Sequence, residues 1–297
     1  MSIIALALSI LAGGFATVNN GYTVKLSRKL EEIGAAWVFL ATSLFFTCLL
    51  LLGKPPALQE IVWRRIPWYL WSSGFINFLA MAVNIWVVRH LGMSVSTSIT
   101  LLWQMFFSLI FDHYGFLGIS CIPFSFSRLI GLGALFIGCL FVTGAKMESL
   151  KKLNLKYLTG AIFVGFSIAF TGALNVKLES YVGLVGSTIN YFLPGTLMLA
   201  VVSPCTMRKI SRKLGKQPKY LYLVGFFNTC LILVQTWAIP LLGMGIFFTL
   251  LFLGQMALAL WADIHGWWEM PKLLLGIKHI LGFILMLLGL PLLYVGV

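Results

Sequence analysis

Ten stretches of about 20 mostly apolar residues account for most of this 297-residue sequence. A helix that crosses the hydrocarbon core of a bilayer needs roughly 20 such residues, because no water is present there to hydrogen-bond a bare backbone. The sequence therefore predicts an all-α integral membrane protein with ten transmembrane helices. The stretches lie at about 2–22, 34–52, 68–88, 94–112, 129–145, 157–176, 183–203, 220–240, 244–262 and 279–296.

Composition and motifs narrow the class of protein further. Only 10% of the residues are charged and 60% are hydrophobic, whereas soluble domains carry roughly 25% charged residues. The first stretch could be a secretory signal, but it lacks a basic start and a convincing cleavage site, so a retained span is predicted.

Five cysteines form no CxxC pair, and no metal-ligand spacing, phosphate-binding glycine loop, HExxH or GxSxG motif occurs. We expect no metal, no cofactor and no enzymatic activity.

The basic residues indicate a topology. The net charge of +13 could indicate a nucleic-acid partner, but lysines and arginines are dispersed through short loops, so no nucleic acid is expected. The loops after odd-numbered stretches hold 16 of them and the other side holds 5, although Arg64 and Arg65 work against this bias. Cytoplasmic loops are enriched in Lys and Arg. The odd loops are therefore predicted to be cytoplasmic and both termini periplasmic.

The chain contains an internal repeat at a shift of 151 residues. Because each half contains an odd number of stretches, the second copy must enter the membrane from the opposite side, which makes the halves inverted repeats. Inverted repeats are common in secondary transporters. We predict a first five-helix repeat at 1–147, a basic linker at 148–156 and a second, inverted repeat at 157–297. The shift superposes Gly74–Asn77 on Gly225–Asn228, Trp86 on Trp237, Gln104 on Gln255, Asp112 on Asp263 and, with one residue of slippage, Val24–Leu26 on Val176–Leu178.

These repeated residues also carry a family resemblance. The segment from Gly74 to Gly92, followed by Gln104, Ser108, Asp112 and Gly115, resembles the YdcZ-like branch of the bacterial drug/metabolite transporter superfamily. The resemblance covers nearly the whole chain and implies that helices one to four and six to nine surround a central cavity, with helices five and ten outside. Related ten-span transporters usually keep both termini in the cytoplasm, opposite to the charge count.

Amide side chains inside the spans are the candidates for lining such a cavity. Polar groups within a membrane are costly and usually face the bundle interior. Residues seven apart on one helix share a face, and repeat mates extend that face to the other half. The alternative is that the amides only hydrogen-bond between helices, each contributing ~0.6 kcal/mol. The candidates are Asn77, Asn84, Gln104, Asn228, Gln235, Gln255, Asn19 and Asn190.

Two pairs of titratable residues stand at the ends of spans. Asp112 with His113 and Asp263 with His265 occupy matching positions at opposite membrane faces. Histidine titrates near neutral pH, so these pairs are candidates for gating or for relaying protons. The alternative is that they form ordinary turns at helix ends.

Together these features predict a secondary transporter in the bacterial inner membrane. It would move a small polar or amphipathic metabolite by alternating access, with export favoured over import. Its expected partners are the small-molecule substrate and the lipid bilayer, as a monomer or a homodimer. A membrane-integral scaffold that organises partners, with its basic loop on anionic lipids, and a lipid flippase are the alternatives.

Overall fold

A computed structural model describes residues 3–53, 66–91, 93–119, 121–123, 125–143, 155–202, 217–269 and 276–294, and these residues contain eight α-helices. Their backbone hydrogen bonds are made within each helix, as a bilayer requires. The first four are α1 (Ile3–Gly53), α2 (Ser73–Leu91), α3 (Met93–Tyr114) and α4 (Phe126–Thr143). The second four are α5 (Leu155–Val202), α6 (Val224–Leu242), α7 (Met244–His265) and α8 (Ile277–Tyr294).

Two long helices each contain a sharp bend. Helix α1 breaks at Glu31, where φ is 64° and ψ is 172°, and α5 breaks at Gly183, where φ is 74° and ψ is 169°. With each bent helix counted as two, the described chain has ten straight segments, one for each predicted span. Six apolar stretches of the described chain, one of them the bent stretch Leu155–Val201, are long and apolar enough to cross a membrane.

The first segment of α1 is longer than the sequence predicts. The predicted span ends at about residue 22, but the helix continues to the bend at Glu31. At 1.5 Å per residue, 28 residues extend about 42 Å, which exceeds the roughly 30 Å hydrocarbon core. The last turns, with Lys25, Arg28 and Lys29, therefore reach the headgroup region without a break in the helix.

The backbone repeats itself with the offset found in the sequence. Helices α2, α3 and α4 recur 151 residues later as α6, α7 and α8, and the bends at Glu31 and Gly183 are 152 residues apart. A 3-10 turn precedes α2 at Trp68–Ser72 and α6 at Lys219–Leu223. The slippage of one residue therefore belongs to the bent helices α1 and α5. The predicted linker at 148–156 lies outside the described residues, except for Leu155 and Lys156, which begin α5.

Each bent helix packs against the opposite half of the chain. Helix α1 lies against α6 and α7, and its mate α5 lies against α2 and α3. Helices α4 and α8 pack together: a Cβ on Gly138 would be 2.6 Å from the Gly282 carbonyl oxygen, and one on Gly289 would be 2.9 Å from that of Gly131. Since low numbers on α4 meet high numbers on α8, these two repeat mates are antiparallel.

The helix bundle has two ends, which we call the linker face and the terminus face. The linker face holds the bend at Glu31, the end of α2 and the start of α5; Leu26 and Leu30 of α1 pack there against Leu221. The terminus face holds the start of α1, the bend at Gly183 and the end of α6; Leu70 packs there against Leu174 and Leu178.

We predict that the close contact between α4 and α8 depends on glycine. In Gly138→Ala the new methyl group would be 2.5 Å from Met286 Cγ and 2.6 Å from the Gly282 carbonyl oxygen. Forced overpacking of this kind costs about 1–3 kcal/mol, so the midpoint of thermal unfolding in detergent should fall. The matched control is Gly133→Ala on the same helix, where a Cβ meets nothing within 4 Å. Equal midpoints for the two variants would contradict the packing.

Candidate functional site

A central cavity of about 470 Å³ lies between the two halves. Helices α1, α2, α3, α5, α6 and α7 supply the residues that line it, and none of the described lining residues comes from α4 or α8. These two helices correspond to spans five and ten, which the family resemblance places on the outside. The cavity is large enough for a small metabolite, since ligand pockets are typically about 300–1,000 Å³.

Seven of the eight predicted amides line this one cavity. Helix α1 contributes Asn19, α2 contributes two amides, α6 contributes two, and α3 and α7 contribute one each. The seven are Asn19, Asn77, Asn84, Gln104, Asn228, Gln235 and Gln255.

Asn190 differs from the prediction, because it is not among the cavity-lining residues. Its Nδ2 donates a hydrogen bond to Ser73 Oγ at 2.8 Å and lies 3.5 Å from the Trp71 carbonyl oxygen. The amide therefore holds the second segment of α5 to the start of α2. Its neighbour Tyr191 lines the cavity instead.

Some of the cavity amides are already hydrogen-bonded to other helices. Asn19 Nδ2 donates to Asn228 Oδ1 at 3.3 Å, and Asn228 Nδ2 donates to Ser43 Oγ at 3.0 Å. Next to them, Thr229 Oγ1 donates to the Ser43 carbonyl oxygen at 2.9 Å. This network ties both segments of α1 to α6, so Asn19 and Asn228 act at least partly as interhelical contacts.

The repeat mate of Asn228 has no such partners. Asn77 occupies the matching place on α2, but the positions of Ser43 and Asn19 are taken by Gly195 and Thr171 in the other copy. Among the described residues, none hydrogen-bonds to the side chains of five cavity amides. These are Asn77, Asn84, Gln104, Gln235 and Gln255. Amides without a protein partner inside a membrane protein are available to a ligand or to water.

Hydroxyl groups in the cavity were missed by the sequence prediction. Thr23, Thr97, Thr100 and Tyr191 line it together with the amides. The amide of Asn20 on α1 also lines it. A signal was present for α3, since Thr97, Thr100 and Gln104 follow a spacing of three and four residues and so share one helix face. No charged or histidine side chain occurs among the described lining residues.

The cavity extends to the linker face and ends before the terminus face. Ser27 and Ala35 line it on either side of the bend in α1, and Val88 lines it near the end of α2. Toward the terminus face its floor is formed by Gln235 and Phe248, against which Gly172 of α5 packs.

Beyond the floor, α5 and α6 are joined directly. Asn175 Nδ2 donates a hydrogen bond to Thr236 Oγ1 at 2.7 Å, and a Cβ on Gly172 would lie 2.9 Å from Gln235 Nε2. The glycine lets α5 pass close to the Gln235 side chain of α6. Contacts of this kind close the terminus side of the cavity.

Asp112, one of the predicted gating residues, lies in this closed region and is 1% exposed. The backbone N–H groups of Met244 and Gly245 donate to its Oδ1 and Oδ2, each at 2.7 Å. The carboxylate thus caps the start of α7, where the first N–H groups have no partner within the helix. Asp263 is half-buried at the linker face, and its carboxylate makes no hydrogen bond or ion pair within the described chain.

The histidines of the predicted pairs lie near the surface. His113 and His265 are both exposed, and His265 Nδ1 is 2.8 Å from the Trp261 carbonyl oxygen. Both carboxylate oxygens of Asp112 accept hydrogen bonds from backbone N–H groups at the start of α7. A proton relay through these histidines stays a prediction.

Comparison with known proteins supplies the family. The family described as "Putative inner membrane exporter, YdcZ" matches the chain twice, at residues 4–141 and 156–292. A crystal structure of another protein is similar with a TM-score of 0.66 at 13% sequence identity, over 97% of this chain and 94% of that one, which shows a shared fold. No curated protein matches. Since the two matches span nearly the whole sequence, the chain belongs to the YdcZ family of the drug/metabolite transporters, which are multi-pass proteins of the inner membrane.

Proposed function

We propose that this protein exports a small uncharged polar or amphipathic metabolite across the inner membrane by alternating access. One observation carries the proposal: a cavity lined by amides and hydroxyls lies between the two halves, its described lining extends toward the linker face, and α5 and α6 are in direct contact on the terminus side. A site that both faces can reach in turn, between inverted repeats, is the arrangement that secondary transporters use.

The chemistry of the cavity favours an uncharged solute. Taking an ion out of water costs several kcal/mol unless an opposite charge compensates, and no described lining residue provides one. Amides supply both hydrogen-bond donors and acceptors, which suits solutes rich in hydroxyl, amide or carbonyl groups. Met81, Ile85 and Phe248 add apolar surface for the less polar part of such a molecule.

The distribution of lysine and arginine among the loops and the description of the family both favour export. The positive-inside rule puts the linker face in the cytoplasm. In that orientation the cavity faces the cytoplasm, ready to take up a solute for export. This agrees with the description of the family as exporters.

We predict that the purified protein in proteoliposomes carries uncharged polar solutes and leaves charged ones behind. The probes are a radiolabelled nucleoside and a sugar alcohol, compared with tetraphenylphosphonium and a dicarboxylate. Liposomes without protein provide the background. Saturable flux of tetraphenylphosphonium would overturn the assignment of an uncharged substrate. No flux of any class, together with a stable complex with another protein, would favour the scaffold alternative.

We predict that replacing a cavity amide without a described partner changes KM, whereas replacing a hydrogen-bonded amide outside the cavity changes the thermal midpoint. In Asn77→Ala or Asn84→Ala the solute loses a hydrogen bond, and we expect KM to rise up to about tenfold, since a factor of ten corresponds to ~1.4 kcal/mol. The thermal midpoint should stay near that of the wild type. The control is Asn190→Ala, which removes a bonded amide outside the cavity and should lower the midpoint while leaving KM unchanged. Equal changes in KM for Asn84→Ala and Asn190→Ala would sink the idea that the free amides bind solute.

The orientation can be tested with single cysteines in a background without the five native ones. Ile3, 82% exposed, marks the terminus face, and Leu155, 70% exposed, marks the linker face. An impermeant maleimide added to spheroplasts should label Ile3→Cys and spare Leu155→Cys until the membrane is permeabilised. Labelling of Leu155→Cys alone would reverse the orientation and make the observed conformation open to the periplasm.

A further inference from the structure

The two repeats have the same elements but differ where the cavity closes. On the terminus side, α5 meets α6 through Gly172, Asn175, Gln235 and Thr236. The repeat offsets of 152 for α1 and 151 for α2 identify the mates of these residues, which are Asn20, Thr23, Asn84 and Ile85. All four mates line the open cavity, on α1 and α2. The same set of positions is thus in contact in one repeat and separated by the cavity in the other.

The carboxylates show the same asymmetry. Asp112 caps the start of α7 by accepting from Met244 and Gly245. The mates of these three residues are Asp263, Met93 and Ser94 at the linker face. Asp263 accepts no hydrogen bond from any described residue, so it does not cap α3 as Asp112 caps α7.

We propose that the protein has a second state in which the two repeats exchange these arrangements, with Asp112 and Asp263 as alternating latches. In that state α1 closes on α2, Asn20 and Thr23 approach Asn84 and Ile85, and Asp263 accepts from the N–H groups of Met93 and Ser94. Asp112 releases α7, and the cavity opens to the terminus face. The inference rests on the proposed transport by alternating access and names the residues that gate it.

Hydration explains why each latch forms only on the closed side. The first N–H groups of a helix have no partner within the helix, and on an open face water can bond both them and the carboxylate. When that face closes, the water leaves, and a buried N–H group without a partner becomes costly. A carboxylate at the helix start replaces the water and also interacts favourably with the positive end of the helix dipole.

Disulfide cross-linking tests the exchange directly in the full-length protein without its native cysteines. Gly172→Cys/Gln235→Cys reports the closed terminus side, and its mate Asn20→Cys/Asn84→Cys reports the closed linker side. We expect both pairs to cross-link in nanodiscs with copper phenanthroline, the first rapidly and the second slowly, because the second requires the alternate state. Failure of Asn20→Cys/Asn84→Cys to cross-link under any condition would overturn the proposal.

Replacing Asp112 and Asp263 then tests whether these carboxylates control the exchange between the two states or only cap a helix. Asp263→Ala removes a group with no described partner, so the thermal midpoint should hold, while the rate of the 20–84 cross-link falls roughly tenfold. Asp112→Ala should raise that rate and lower the rate of the 172–235 cross-link. If Asp263→Ala leaves both rates unchanged, Asp263 is no latch. Since cross-linking needs no transported solute, exchange of both pairs without flux would refute the proposed function and leave the two-state exchange standing.

Discussion

The absence of water in the bilayer core is the constraint on which this structure depends. Every polar group there needs a partner within the protein, and most find one: hydroxyls bond to carbonyls one turn back, as Ser9 does to Ala5 and Thr249 does to Gly245. Against that background a polar side chain without a partner is informative. The amides of Asn77 and Asn84 face the cavity, where a solute or water can meet them.

Duplication produced the fold, and departures from symmetry within it carry the proposed mechanism. Equivalent glycines allow close contact in both halves: Gly13 packs on the backbone of α7, and Gly165 packs on that of α3. Equivalent amides have different surroundings. Asn228 donates a hydrogen bond to Ser43, whereas the repeat mate Asn77 finds Gly195 at the position equivalent to Ser43, and glycine has no side chain to bond. Asn19 and Asn228 therefore stabilise the bundle, and the other five predicted amides that line the cavity are available for binding.

The sequence predicts the parts of this structure that depend on local pattern. Hydropathy locates the ten segments, and the 151-residue shift by itself identifies the repeat. Spacing by seven residues places Asn77 and Asn84 on one face of α2. What sequence cannot supply is the long-range register. Asn190 bonds Ser73 across 117 residues, and Asp112 caps a helix that begins 132 residues later. Neither partner follows from local spacing, which places Asn190 in the cavity and pairs Asp112 with its neighbour His113.

In the proposed mechanism an uncharged solute crosses through a cavity that has no charged side chain among its described lining residues. Its most direct test is the dependence of flux on membrane potential in proteoliposomes that carry a potassium diffusion potential. One elementary charge crossing the membrane is worth about 2.3 kcal/mol per 100 mV, so a charged solute or a coupled ion would alter the rate several-fold. For an uncharged solute we expect the same initial rate at 0 and at about 100 mV of either sign, with no transport current. A rate that changes several-fold with the sign of the potential would contradict it.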